Sequence, residues 1–75
     1  MVLEGRVEMR AVNRGSKSDH DAAVLVTADG PYTLRRRGGH PFSDPAIEAL
    51  VGQRIRGEGV VSAGQFIMSS WDVLD

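Results

Sequence analysis

Few residues in this chain could do chemistry. There is no cysteine among the 75 residues, so disulfides, thiolate nucleophiles and thiolate metal sites are excluded. Asp19-His20-Asp21 places two carboxylates around an imidazole, all of them metal-ligating types. A usable metal site needs three or four ligands in fixed geometry. Adjacent residues in a polar loop do not supply that, and His40 is distant in sequence, so no metal is expected. Serine, histidine and aspartate are present in sufficient number for a hydrolytic triad, but no nucleophile elbow or equivalent context surrounds any serine. Gly57-Glu58-Gly59 resembles the start of a dinucleotide fingerprint. Ser62 stands where the third glycine belongs, however, and the segment lies inside a strand pattern rather than at a strand-to-helix turn. No catalytic residue and no cofactor are therefore expected. What remains is Arg35-Arg36-Arg37, the densest charge cluster, suited to holding anionic groups.

The elements that must position these arginines follow from periodicity. Residues 2–13 alternate, with Leu3, Gly5, Val7, Met9 and Ala11 on one face and Glu4, Arg6, Glu8 and Arg10 on the other, as in a half-buried strand. Gly5 interrupts it where a long strand would bend to serve two neighbours. Residues 13–21 are wholly polar and read as a loop. Residues 22–28 form a second strand and residues 32–37 a third, with Asp29-Gly30-Pro31 as a three-residue loop. A two-residue Asp-Gly loop would require Pro31 to donate a closing hydrogen bond, and it has no amide proton. This register opposes Ala28 to Tyr32, Val26 to Leu34 and Val24 to Arg36 on the inner face. It turns Ala23, Leu25, Thr27, Thr33, Arg35 and Arg37 outward.

Residues 41–52, PFSDPAIEALVG, carry the only good helix pattern. Asp44 suits the N-cap, or Ser43 with Phe42 and Ile47 as a hydrophobic staple. Pro45 loses no bond at the first helical position. Ile47, Leu50 and Val51 make an apolar stripe over about two turns, and Gly52 suits the end. Residues 53–61 form a fourth strand with Ile55 inward and Arg54, Arg56 and Glu58 outward. A tight connection over residues 62–65 leads to a fifth strand, 66–74. There Ile67, Ser69, Trp71 and Val73 are assigned inward, and Phe66, Met68 and Ser70 outward.

Three strands, a helix and two strands make up one domain spanning residues 1–75. This is the element order of the OB-fold, a five-stranded Greek-key barrel with a short helix between strands 3 and 4 that plugs its end. The fold class is thus all-β with one short helix. In this setting Gly57 and Gly59 read as barrel geometry. The run LVGQRIRGEGVVS, with its pattern of helix, glycine, basic strand and Gly-x-Gly, resembles that of small stand-alone bacterial OB-fold proteins of unknown function, which look like a tRNA-anticodon-binding OB domain reduced to the bare barrel. An SH3-like barrel is the alternative, and more often lacks a helix here.

The resemblance implies a non-catalytic binding module. OB-folds bind oligonucleotides on the outer face of strands 2 and 3 and in the loops between strands 1–2 and 4–5. The candidate site is therefore Arg35, Arg37, Thr33 and Leu25, with Phe66 and Met68 from the fifth strand and Arg14 and Lys17 from the first long loop. Arginines on phosphates beside a ring that stacks a base would hold single-stranded RNA or DNA. The competing reading is a solvated face, with these arginines paired to Glu4, Glu8 or Glu58. A net charge of −1 disfavours strong non-specific DNA binding. The alternative function is a protein-interaction module on the same face, motivated by outward Leu25, Phe66 and Met68. The N-terminal ten residues lack the apolar run of a signal peptide and no stretch is long enough for a span. No membrane partner, a cytoplasmic location and a monomer are expected.

Overall fold

The computed structural model describes residues 1–12, 20–39 and 44–74. Five strands and one helix follow in order: β1 (Val2–Val12), β2 (His20–Thr27), β3 (Gly30–Arg36), α1 (Pro45–Glu48), β4 (Arg54–Ser62) and β5 (Gln65–Val73). The strands form one closed sheet in the order β1-β2-β3-β5-β4, with β4 returning to β1. All neighbours are antiparallel except β3 and β5, which run parallel.

Closure depends on β1 pairing on both of its edges. Residues 6–12 pair with β2 and residues 2–6 with β4, so Arg6 faces both Val26 and Arg54. Gly5 lies at this crossover. A methyl group there would overlap the carbonyl oxygen of Val26, so the two backbones meet only because no side chain intervenes. The bend expected at Gly5 is therefore a close backbone approach.

Inside the sheet, Val7, Ala23, Leu25, Leu34, Ile47, Leu50, Ile55, Phe66 and Met68 form one core, with Leu3, Tyr32 and Trp71 packed against it. Two sequence expectations fail here. The β2–β3 loop has two residues, Ala28 and Asp29, not three, because Thr27 pairs with Gly30 and Val26 with Pro31. The turn sits one residue earlier than an Asp-Gly loop, which leaves Pro31 at a position whose missing amide faces away from β2. The Thr27 hydroxyl closes the turn, accepting from the Asp29 amide at 3.1 Å and donating to the Gly30 carbonyl at 2.8 Å. The shifted register turns Ala23 and Leu25 inward and leaves Val26 half-buried. Val24 is also buried, although outside the core cluster.

The second failure is in β5. A bulge opposite Glu58 and Gly59 leaves Ser69 without a register partner, since Glu58 pairs with Ser70 and Gly59 with Met68. The extra residue reverses the alternation partway along the strand. Phe66 and Met68 face the core before the bulge, and Trp71 packs on it after. No single alternation could place all three inward. Ser69 is exposed and its hydroxyl donates to the Glu58 carbonyl at 3.1 Å, Val73 is 45% exposed, and Ile67 is half-buried on the outer side.

The helix is shorter than two turns. Only Pro45–Glu48 is α-helical, and turns continue to Gly52 at φ 87. Ile47 and Leu50 reach the core, whereas Val51 is exposed, because the tightened last turn moves it off the buried stripe. Phe42 and Ser43 lie outside the described residues. The β4–β5 turn, Ala63-Gly64, has positive φ at both positions (52 and 77), the signature of a type I′ hairpin.

Space and conformation give two tests. Gly5→Ala and Gly59→Ala each force a methyl into a backbone carbonyl, of Val26 and of Ile67, whereas Gly57→Ala meets the flexible Met68 side chain first. Urea unfolding is expected to show losses of about 3 kcal/mol or more for the first two and about 1 kcal/mol for the third. Equal losses would contradict the close-approach account. Ala63→Asn, which tolerates positive φ better, is expected to raise stability by up to about 1 kcal/mol.

Candidate functional site

The three consecutive arginines go to three different places. Arg35 lies on the outer face, where its Nη1 donates to Gln65 Oε1 at 2.9 Å. Arg36 points the other way, toward the start of α1. Its Nε and Nη2 hold Asp44 Oδ2 and Oδ1 at 2.9 and 3.1 Å, the paired geometry that guanidinium and carboxylate favour. Asp44 is only 7% exposed and also accepts from the Ala46 amide at 3.1 Å as the helix N-cap. Arg37 is exposed, and its backbone amide donates to Met68 O at 2.8 Å.

Arg36 is thus a structural residue. Its guanidinium holds the Asp44 carboxyl below the ordinary aspartate range, against the opposing effect of burial, and the Ala46 amide adds to the lowering. The pair fastens the end of β3 to the helix that follows. Sequence spacing offered half of this signal, the cap at Asp44. The partner eight residues earlier could be found only from the inward facing of Arg36.

The expected site comes together only in part. Thr33 and Arg35 stand on the outer side of β3, next to Gln65 and Ile67 of the parallel β5, and exposed Arg37 follows in the turn after β3. Leu25, Phe66 and Met68 do not join them. All three are fully buried in the core, for the register and bulge reasons given above. Arg14 and Lys17, and with them Asp19 and His40, lie outside the described residues. Each aromatic ring among the described residues is in the core or packed on it. Glu4 and Glu8 also have partners other than those expected. Glu4 accepts from Arg54 at 2.8 Å and Arg56 at 3.2 Å, and its carboxyl is held below the usual range by Arg54 first and then Arg56. Glu8 meets Arg10 at 3.4 Å. These are exposed pairs, which contribute little to stability.

A feature that sequence reasoning missed lies beside Arg37. Met1, Arg37, Glu58, Val60, Ile67 and Ser69 line an outer groove of about 320 Å³. Its lining combines apolar side chains with the charges of Arg37 and Glu58 and the Met1 ammonium, which donates to the Gly59 carbonyl at 2.7 Å. Val60 is 59% exposed, and it meets Ile67 across the β4–β5 ladder. The sequence signal for it was the outward position of Glu58 alone, because alternation along β5 assigns Ile67 inward.

Among the described residues, no three His, Asp or Glu side chains gather where they could hold a metal, and no helix is long and apolar enough to cross a membrane. The arrangement offers apolar contact beside charges of both signs. No family model, curated protein or solved structure matches the chain.

The Arg36–Asp44 pair has a definite pH signature. Folding lowers the Asp44 pKa, so its stabilising contribution is complete above the unfolded value, about 3.9, and is lost as pH falls through the folded value. Asp44→Asn keeps a capping side chain but no charge. The stability gap between wild type and Asp44→Asn, measured by denaturant unfolding, is expected to be constant near neutrality and to shrink below about pH 4. A gap unchanged down to strongly acid pH would contradict the ion-pair account.

Proposed function

We propose that this chain is a non-catalytic binding module of the OB type, a Greek-key barrel that holds a protein segment on the outer face of β3, β5 and β4. The fold part of the reading is supported by the strand order β1-β2-β3-β5-β4 and by the helix between β3 and β4. The likeness to small stand-alone bacterial OB-fold proteins belongs to the same reading, as does a cytoplasmic setting. The observation that carries the choice of ligand is the groove beside Arg37. It brings exposed Val60 and half-buried Ile67 together with Arg37, Glu58 and the Met1 ammonium, a composition that suits a peptide with apolar and charged side chains.

Single-stranded nucleic acid is the second reading, favoured by the outward placement of Arg35 and Arg37. Among the described residues it lacks an exposed ring on which a base would stack, since Phe66 is interior and Tyr32 and Trp71 pack on the core. Glu58 also stands in the groove, where a phosphate would be repelled.

The readings separate in one backbone NMR titration. Random peptides selected by display on the folded protein are expected to shift the amides of Arg37, Val60 and Ile67, and to lose affinity at least tenfold on Val60→Asp. Oligouridylate or oligothymidylate at low salt and high micromolar protein is expected to produce no saturable shift. Saturable oligonucleotide binding that disappears with Arg35→Glu and Arg37→Glu would overturn the protein reading and establish the other.

A further inference from the structure

The outer face of β1 and β4 carries a charge cluster that lies apart from the groove. Arg6 and Arg54 stand directly opposite each other across the β1–β4 ladder, and Glu4 stands opposite Arg56. Residues opposite one another share a face, as do residues two apart along a strand. Glu4, Arg6, Arg54 and Arg56 therefore occupy the corners of one small rectangle, with Cβ atoms about 5 Å apart across the ladder. Three of the four corners are cationic. Glu4 bridges two of them, its Oε2 accepting from Arg54 and its Oε1 from Arg56. Each contact uses a single Nη2, so most of the donors on both guanidiniums are left over. The Arg54 and Arg56 side chains are 55% and 56% exposed. Arg6 is also exposed, and among the described residues it forms no ion pair.

The other acids nearby are placed off this spot. Glu8, the next outward residue of β1, meets Arg10. Glu58, the next outward residue of β4 beyond Arg56, stands opposite Val2. Asp72 stands opposite Arg56, on the side away from β1. The row that holds the two facing arginines has apolar neighbours instead. Half-buried Val26 lies beyond Arg6, and Leu74, whose amide donates to the Arg54 carbonyl at 2.8 Å, lies beyond Arg54. Like charges directly opposite each other destabilise a sheet. One exposed carboxylate offsets this only weakly, and Arg56 takes part of that carboxylate for itself. Stability accounts poorly for this arrangement, whereas a bound anion accounts for it well.

We propose that this face binds the dianion of a small phosphate monoester, seated between Arg6 and Arg54 with Val26 and Leu74 at its sides. A tetrahedral oxyanion offers several acceptors to the planar forks of facing guanidiniums. Three cations around one carboxylate leave an excess of positive charge that suits a dianion better than a singly charged diester. The site is separate from the groove beside Arg37 and does not rest on the protein-binding reading.

An NMR titration with phenyl phosphate at low ionic strength tests this, followed on backbone amides and arginine Nε–H groups. Saturable shifts are expected at Arg6 and Arg54, with little change at Val60. Affinity is expected to fall as pH is lowered through about 6, where a phosphate monoester takes up its second proton. Arg6→Gln and Arg54→Gln are each expected to weaken binding about tenfold. Glu4→Gln removes the competing carboxylate and is expected to strengthen it. Opposite effects from neighbouring substitutions cannot come from a general loss of folding. Shifts that stay linear in concentration and are reproduced by sodium chloride of equal ionic strength would overturn the proposal. So would binding that survives Arg6→Gln combined with Arg54→Gln, or that Glu4→Gln weakens. Saturation of these arginines by oligothymidylate, with none by phenyl phosphate, would overturn the monoester in favour of a nucleic-acid backbone.

Discussion

The closed sheet depends on one steric allowance, the approach of β1 to both of its neighbours at Gly5 and Arg6. In a closed sheet every strand pairs on both edges, and β1 does so by serving β4 with residues 2–6 and β2 with residues 6–12. The crossover between them needs a residue without a side chain, since the Val26 carbonyl occupies the space where a methyl group would lie. Once β1 is bent, β4 can reach it, β5 is carried between β4 and β3, and the inner faces enclose Val7, Leu25, Ile55, Phe66 and Met68. Gly59 makes a second close approach, to the Ile67 backbone, next to the bulge at Ser69. The two glycines therefore mark the two places where curvature is concentrated.

The architecture was more legible in the sequence than the facing of individual strands. Alternation along residues 2–12 is nearly complete, so β1 and its inward Val7 could be read directly. The same was true of β4, where Ile55 alternates with arginines, and of the Asp44-Pro45 helix start. β2 could not be oriented in this way, because residues 22–26 are apolar on both faces and both faces are buried at Val24 and Leu25. Periodicity is silent in such a run, and the register rested on the loop, where a shift of one residue in the turn decided the outcome. In β5 the obstacle was different. Phe66, Met68 and Trp71 all seek the interior at spacings of two and then three, and strict alternation treats that as a contradiction. A bulge resolves it at the cost of one unpaired residue, and Ser69 bears that cost.

The candidate site inherits these errors unevenly. The β3 positions survived because Leu34 fixes the parity of Thr33 and Arg35. The apolar contributors failed because the residues most attractive for a ligand, Leu25, Phe66 and Met68, are also the ones the core needs most. In a chain this small, few large apolar side chains are left over for the surface. What does remain outside, at Val60, Val61 and Ile67, is β-branched and modest in size.

The join of β1 to β4 also bears on how the chain reaches this state. The Arg36–Asp44 pair links residues eight apart and the two hairpin turns are tight, so the pieces β2–β3, β3–α1 and β4–β5 can each form from nearby chain. The Glu4–Arg54 contact spans fifty residues. Loop-closure entropy for that contact must be met before any of its bonds return the cost. Sealing β1 against β4 is therefore expected to come late in folding, after the local pieces have formed.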